Sequence, residues 1–308
     1  MNYHDLFEKK TRDEHILSDF RVASRQKLQC PKVAYLGPVA TFTHLAALRR
    51  FGSSVQYLPE VSIKGVFEAV NRASADYGVV PIENSIEGVV SYTLDMLVES
   101  KLKIASEIML GVSHNLLSES GQKPAIKQIY SHPHAAAQCR IWLEQNMRGI
   151  PVLDAASTAS AAELAARELT SAAIASELAA TVYGLRFVER GIEDYRDNYT
   201  RFFVISKSFS FRTGWDKTSI MFVIKDRPGA LCNILMPFKK AKINLIKIES
   251  RPSRRKAWEY IFFVDIAGHS EDGVVKRAIK EIKQNCLYLK ILGSYPSGKY
   301  SERTQIGA

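Results

Sequence analysis

Three features of the chain predict an α/β protein made of two unlike parts. Between residues 32 and 205, short apolar runs alternate with helix-like segments, the rhythm of a mainly parallel sheet or of two such sheets. From residue 219 the order becomes β-α-β-β-α-β, which is ferredoxin-like. Hydroxyl and amide residues gather where strands run into helices, the place where open α/β sheets bind ligands. The 308 residues give room for two or three domains.

In order, residues 1–31 are polar and helix-prone and stop at Pro31. Strands are predicted at 33–36, 55–58, 77–82, 104–110 (with a possible extension to 117), 126–130, 151–153, 172–175 and 202–205. Helices are predicted at 41–51, 63–73, 93–98, 133–146, 157–169 and 177–183. Pro133 suits a first helical turn, where its missing N–H is no loss, and Gly184 suits a helix end. Residues 208–217 read as a linker. The second part has strands at 219–225, 244–250, 259–265 and 288–292, and helices at 228–240 and 271–284. Residues 294–308, rich in Ser, Gly and charge, read as a disordered tail.

Composition narrows the function. Hydrophobic residues at 46% and charged residues at 24% are ordinary for a soluble globular chain. No apolar run approaches the ~20 residues of a spanning helix, and residues 1–10 lack the apolar core of a secretory signal. Four scattered cysteines without a CxxC pair point to reduced thiols in a cytoplasmic protein and away from zinc. The net charge of +10 favours encounter with small anions. Its densest cluster, residues 251–256, is short, contains Pro252 and has no aromatic-interleaved basic stripe, so nucleic-acid binding is not expected.

The strand-end loops hold Gly37-Pro38-Val39-Ala40-Thr41-Phe42-Thr43, Glu83-Asn84-Ser85, Ser131-His132-Pro133 and Ala155-Ala156-Ser157-Thr158. Each hydroxyl read singly is an ordinary helix cap. Taken together, with Arg201 as the strongest charge beside Thr200, they predict a cleft for a small dianion such as a dicarboxylate. Phosphate is disfavoured because neither GxxxxGK[ST] nor GxGxxG occurs. There is no GxSxG nucleophile motif. His132 and His134 diverge at a helix start and lack a third ligand, so no metal is expected, and no other cofactor. Cys139 reads as a buried structural thiol, and Glu83 as a residue fixing its loop through backbone hydrogen bonds.

The motifs Gly37-Pro38 with Thr41-Phe42-Thr43, Pro81-Ile82-Glu83-Asn84-Ser85 with Glu87-Gly88, Ser131-His132-Pro133 with Gln138, and Asn198 with Thr200-Arg201-Phe202 resemble those of prephenate dehydratase. Gly229-Ala230-Leu231 and Glu249-Ser250-Arg251-Pro252 resemble the phenylalanine-binding motifs of its ACT regulatory domain. The resemblance covers about residues 32–293. It implies a catalytic region at 32–207, built as two subdomains like a periplasmic binding protein, with the active site between them. It also implies an ACT domain at 218–293.

The implied reaction is decarboxylating dehydration of prephenate to phenylpyruvate in phenylalanine biosynthesis, without cofactor or metal. The family's catalytic threonine matches Thr200, and its active-site Asn, Ser and Gln match Asn84, Ser131 and Gln138. Thr41, Thr43, Ser85, Ser157 and Arg201 are expected to bind substrate. Gly229, Ala230, Leu231, Asn244, Glu249, Ser250, Arg251 and Pro252 are expected to bind phenylalanine as allosteric effector. The implied assembly is a homodimer or homotetramer, with no nucleic-acid or membrane partner.

Two departures from the family stand out. Ala40 replaces a glycine, which argues against a positive φ or a very close substrate approach there. Residues 20–25 resemble the last helix of a fused chorismate mutase domain, which cannot fit in about 30 residues of helix rising 1.5 Å each, so no mutase activity is expected. Rival readings are an arogenate dehydratase and a non-catalytic small-molecule sensor; a sensor would have lost Thr200.

Overall fold

The computed structural model describes residues 30–253 and 259–298. All but the last two residues of the predicted N-terminal segment, most of the predicted tail and the second half of the basic cluster lie outside the described residues.

The first sheet begins with β1 (Lys32–Leu36), α1 (Phe42–Phe51), β2 (Gln56–Glu60), α2 (Ile63–Asn71) and β3 (Tyr77–Asn84). β1 pairs in parallel with both β2 and β3. Val33, Ala34 and Tyr35 are buried on both faces, which is why this strand reads as an unbroken apolar run. Thr41 and Ser62 cap α1 and α2 by accepting from backbone N–H groups three residues on. A short strand β4 (Gly88–Val89), helix α3 (Ser91–Glu99) and strand β5 (Lys103–Gly111) follow.

The chain then crosses into a second sheet. Its elements are β6 (Asn115–Ser118), β7 (Gln128–Ser131), α4 (Pro133–Gln138), α5 (Arg140–Asn146), β8 (Val152–Asp154), α6 (Thr158–Ala165), β9 (Ser171–Ala175), α7 (Glu177–Tyr183) and β10 (Arg186–Glu189). It returns to the first sheet as β11 (Tyr199–Ser206). The strand orders are β2-β1-β3-β11-β5, with β4 on β3, and β10-β6-β9-β7-β8. The strand expected at 104–110 with its extension to 117 is thus two strands in different sheets, β5 and β6. The expected helix 133–146 breaks at Cys139, whose φ of −114° and ψ of 13° leave the helical region. β4 and β10 carry no sequence signal strong enough to predict them.

The two sheets share one core. Tyr35, Ala46, Phe202 and Val204 from the first pack in the same cluster as Leu117, Ala159, Ala173 and Ala179 from the second. The buried alanines of α6 and α7 supply much of the second subdomain's share of this core.

The third sheet comprises β12 (Asp216–Val223), α8 (Ala230–Lys240), β13 (Leu245–Pro252), β14 (Tyr260–Ala267), α9 (Gly273–Asn285) and β15 (Tyr288–Pro296). Its antiparallel order is β13-β14-β12-β15, the predicted ferredoxin-like arrangement. The last strand runs four residues beyond its expected end at 292. Ile220, Phe222, Val264 and Ile266 face the two helices. The opposite face contributes Met221, Ile261, Phe263, Leu292 and Tyr295 to a core shared with Leu94, Leu97, Ile104 and Phe203. Gly293 meets β5 so closely that a Cβ there would collide with the Ile104 carbonyl. Among the described residues, no helix is long and apolar enough to cross a membrane.

Candidate active site

The centre of the site is where β3 ends and β11 begins, with Thr200 directly opposite Asn84. The Asn84 amide is fixed from both sides. Its Oδ1 accepts from the backbone N–H groups of Ile86 (2.9 Å) and Glu87 (3.0 Å), an Asx turn that aims Nδ2 across the ladder. Nδ2 donates to Asn198 Oδ1 at 2.7 Å and to Thr200 Oγ1 at 2.9 Å, with a longer contact of 3.4 Å to the Tyr199 carbonyl.

The second subdomain completes the chain of amides. Asn198 Nδ2 donates to Gln138 Oε1 at 2.9 Å, and Gln138 Nε2 donates to Glu87 Oε1 at 2.9 Å. A carboxylate only accepts, so Glu87 fixes which end of the Gln138 amide is NH2. Every amide therefore donates in one direction, from Asn84 through Asn198 and Gln138 to Glu87. Thr200 Oγ1 is an acceptor from Asn84, and among the described residues no group takes its own hydrogen. A hydroxyl that accepts from an amide is polarised into a better donor.

Two histidines border this chain. His114 is 3% exposed, and its Nε2 lies 2.8 Å from Gln138 Oε1. Burial pulls its pKa down, so the ring is neutral with its hydrogen on the nitrogen that meets the amide oxygen. His134 Nδ1 hydrogen-bonds to the second oxygen of Glu87. Around them, the chain crossing between subdomains is pinned by Glu193, which accepts from His114 N at 2.8 Å. Asp194 pins it too, accepting from Ile141 N and Trp142 N at 3.1 Å each. Ser85 Oγ accepts from Tyr199 N at 2.9 Å and donates to the Asp197 carbonyl at 3.2 Å, clamping β11 onto the loop after β3.

Other predicted residues are placed differently. Thr41 Oγ1 accepts from His44 N and donates toward the carbonyls of Pro38 (3.0 Å) and Leu36 (3.2 Å). Ser157 accepts from Ser160 N and donates to Ser160 Oγ, both at 2.9 Å. Both hydroxyls thus serve their own loops and helices as caps. Ser131 is fully buried and donates to the His132 carbonyl at 3.0 Å; Thr43 is buried on α1. Among the described residues, no hydrogen bond joins these four to the Thr200 chain. Ala40 contradicts the expectation drawn from its side chain: its φ is 71°. The conformation is held because Ala40 N donates to His44 Nδ1 (3.1 Å) and its carbonyl accepts from Ser176 Oγ (3.1 Å).

Arg201 is a correction. Successive strand residues point to opposite faces, so the neighbour of Thr200 faces away from the amide chain. Its guanidinium donates to Glu107 Oε2 (2.8 Å), Asp265 Oδ2 (2.7 Å) and Tyr295 Oη (3.1 Å), buried between the first sheet and the third. Burial opposes its charge, but Tyr295, Asp265 and Glu107 together hold its pKa above the usual arginine value. Lys217 closes the cluster at 2.7 Å from Glu107. Glu83 likewise faces the third sheet, 2.5 Å from the Lys247 ammonium.

The expected effector residues divide. Gly229 (φ 75°), Ala230 and Leu231 line a groove of about 300 Å3 with Arg227, Tyr260 and Phe262. Ser250 and Pro252 stand opposite Phe262 and Tyr260, two walls of that groove. Glu249 and Arg251 alternate with them and face the catalytic region, and Asn244 contributes its carbonyl to Ala267 N. Asn198 and Glu87 were legible only as parts of motifs, and His114 had no signal in the sequence. The sequence marks His134 only as half of a poor metal pair with His132, whereas the structure sets it on Glu87. Among the described residues no group of His, Cys, Asp or Glu is arranged to hold a metal ion.

A family model described as prephenate dehydratase matches residues 33–210, and one described as ACT domain matches 218–284. A bifunctional chorismate mutase/prephenate dehydratase of Aquifex aeolicus is 53% identical over 271 residues, 88% of this chain and 75% of that relative. A prephenate dehydratase of Bacillus subtilis is 36% identical over 281 residues, 86% of this chain and 99% of that one. A crystal structure of prephenate dehydratase from Arthrobacter aurescens in complex with L-Phe superposes with a TM-score of 0.80 at 33% identity, covering 87% of this chain and 90% of that one. Motif order, site geometry and these matches agree, and the chain belongs to the prephenate dehydratase family, with an ACT domain at its C-terminal side.

Proposed function

We propose that the chain converts prephenate to phenylpyruvate, CO2 and water, with Thr200 as the donor to the departing hydroxide. The observation that carries this reading is the bond from Asn84 Nδ2 to Thr200 Oγ1, 2.9 Å long, which leaves the threonine hydrogen for a ligand. In the reaction the electron pair of the ring carbon–carboxylate bond moves into the ring as CO2 leaves. The ring carbon–hydroxyl bond breaks, and hydroxide departs and takes a proton from solvent to become water. Aromatisation drives the step, so no strong acid or metal is needed. Preorganised donors aimed at the developing negative charge are the fitting catalyst.

Gln138, Asn198 and Asn84 hold Thr200 in this role, and Ser85 fixes the loop. The backbone N–H groups at the starts of α1 and α6, beside Thr41, Thr43 and Ser157, suit the substrate carboxylates. Ser131 supports the turn into α4. Phenylalanine acts as feedback effector in the groove at Gly229–Leu231 with Ser250 and Pro252, a reading supported by the L-Phe complex of the related structure. The open edge of β13, with Ile246 and Ile248 exposed, favours pairing with a second copy as a homodimer or homotetramer. Four unpaired cysteines fit a cytoplasmic protein.

The test is turnover of prephenate to phenylpyruvate at neutral pH, with and without phenylalanine. The expected result is turnover that phenylalanine suppresses. Turnover of arogenate in preference to prephenate overturns the substrate assignment, and no turnover of either overturns the catalytic one.

A further inference from the structure

The loop that carries Asn84 and Glu87 runs directly into α3, and the third sheet grips that helix at both ends. At its start, Arg251 of β13 hydrogen-bonds to the Ser91 carbonyl and pairs with the Asp95 carboxylate at 2.9 Å, its side chain 11% exposed. At its end, Lys290 of β15 donates to the carbonyls of Leu97 (2.8 Å), Val98 (3.1 Å) and Ser100. Lysine at a helix C-terminus is favourable in its own right. Arginine at a helix N-terminus is not, because it opposes the helix dipole. The Arg251 contact is therefore not explained by the stability of α3 and needs Asp95, one turn along, as counter-charge. Thr93 Oγ1 of the same helix donates to the Pro81 carbonyl at 2.6 Å, tying α3 to the strand that ends in Asn84.

The alternation of β13 gives the contact its meaning. Lys247, Glu249 and Arg251 share the face toward Glu83, Val89 and α3. Ile248, Ser250 and Pro252 share the other face, beside the groove. We infer that Arg251 is a positioning residue for the dehydration, holding α3 and through it Asn84 and Glu87, and that it is not a ligand of the effector. This rests on the proposed roles of Asn84 and Thr200. It extends them by making one strand serve both sites: a ligand that shifts β13 from the groove side moves Arg251 on the other.

The test uses Arg251→Met, Arg251→Lys and Asp95→Asn in the full chain, with turnover, phenylalanine affinity by calorimetry, and amide hydrogen exchange over residues 84–99. Arg251→Met should lower kcat about ten- to a hundredfold with little change in KM, as expected for misplacement of catalytic groups. It should keep its affinity for phenylalanine while losing inhibition, and speed exchange in the 84–99 segment. Arg251→Lys should recover part of kcat. Asp95→Asn should reproduce the loss, and the double variant should be no worse than the worse single one. Loss of phenylalanine affinity with normal kcat in Arg251→Met would make Arg251 an effector ligand and overturn the inference. Unchanged kcat and exchange in both single variants would reduce the contact to packing. Faster exchange in a protein whose wild type does not turn over prephenate would keep the tether and sink the catalytic reading instead.

Discussion

Thr200 and Arg201 are adjacent on one strand, and their surroundings are opposites. Thr200 is half-buried in a chain of neutral amides that all donate one way. Arg201 is 8% exposed in a cluster of full charges shared by two domains. The difference separates orienting from fastening. Neutral amides can stand at a half-open cleft without the heavy desolvation of ions, and their direction sets where a hydroxyl hydrogen points. Buried ions are costly to leave unpaired, so they tie together the segments that bear them.

Breaking the fastening side should have the largest effect on stability. Arg201→Met leaves Glu107 and Asp265 with too little positive charge, and a loss of about 3–5 kcal/mol in denaturant unfolding is expected. Thr200→Val, one residue away, should cost no more than about 1 kcal/mol by the same measurement, the worth of one hydrogen bond. Similar losses in both would erase the distinction between the two faces.

The loop before α1 leans on a buried base. His44, 5% exposed and stacked on Tyr35, is pulled down to about 4 by burial, and its Nδ1 must stay unprotonated to accept from Ala40 N. An unfolded histidine titrates near 6.5. Between those values the unfolded chain binds the extra proton, so stability rises with pH and is lost as pH falls from about 6.5 to about 4. The full window is worth about 3 kcal/mol. His44→Phe, which keeps a ring on Tyr35, should flatten that part of the stability profile relative to wild type. An unchanged slope would mean that His44 is not buried neutral.

The smallest effect concerns the loop before α1. Ala40 holds a φ of 71°, which disfavours a side chain by roughly 1–2 kcal/mol, while glycine sacrifices some backbone entropy. Ala40→Gly should therefore gain up to about 1 kcal/mol and retain turnover. A loss of stability would show that the buried Cβ matters more than the strain.

Much of this architecture is readable in the sequence. The alternation of short strands and helices, the β-α-β-β-α-β order and the strand-end loops all have local causes in periodicity and capping. Asn84, Gln138 and Thr200 were legible through motifs. The role of Arg201 was not, for a physical reason. Residues 202–205 are buried on both faces, so no polar alternation announces which way residue 201 points. Its partners Glu107 and Asp265 lie 94 and 64 residues away in sequence. The split of β13 into two faces was hidden in the same way, since Glu249 to Pro252 reads as one motif until the sheet assigns its sides. Thr41 and Ser157 show the reverse: as ordinary caps, their local chemistry foretold where their hydroxyls go.

The most direct test of the central claim is kcat for prephenate with Thr200→Val, whose shape is conserved and whose hydroxyl is gone. Loss of one preorganised donor to developing negative charge predicts a fall of about two to three orders of magnitude, with the fold and phenylalanine binding retained. A near-normal kcat would contradict the account and remove Thr200 from the chemistry.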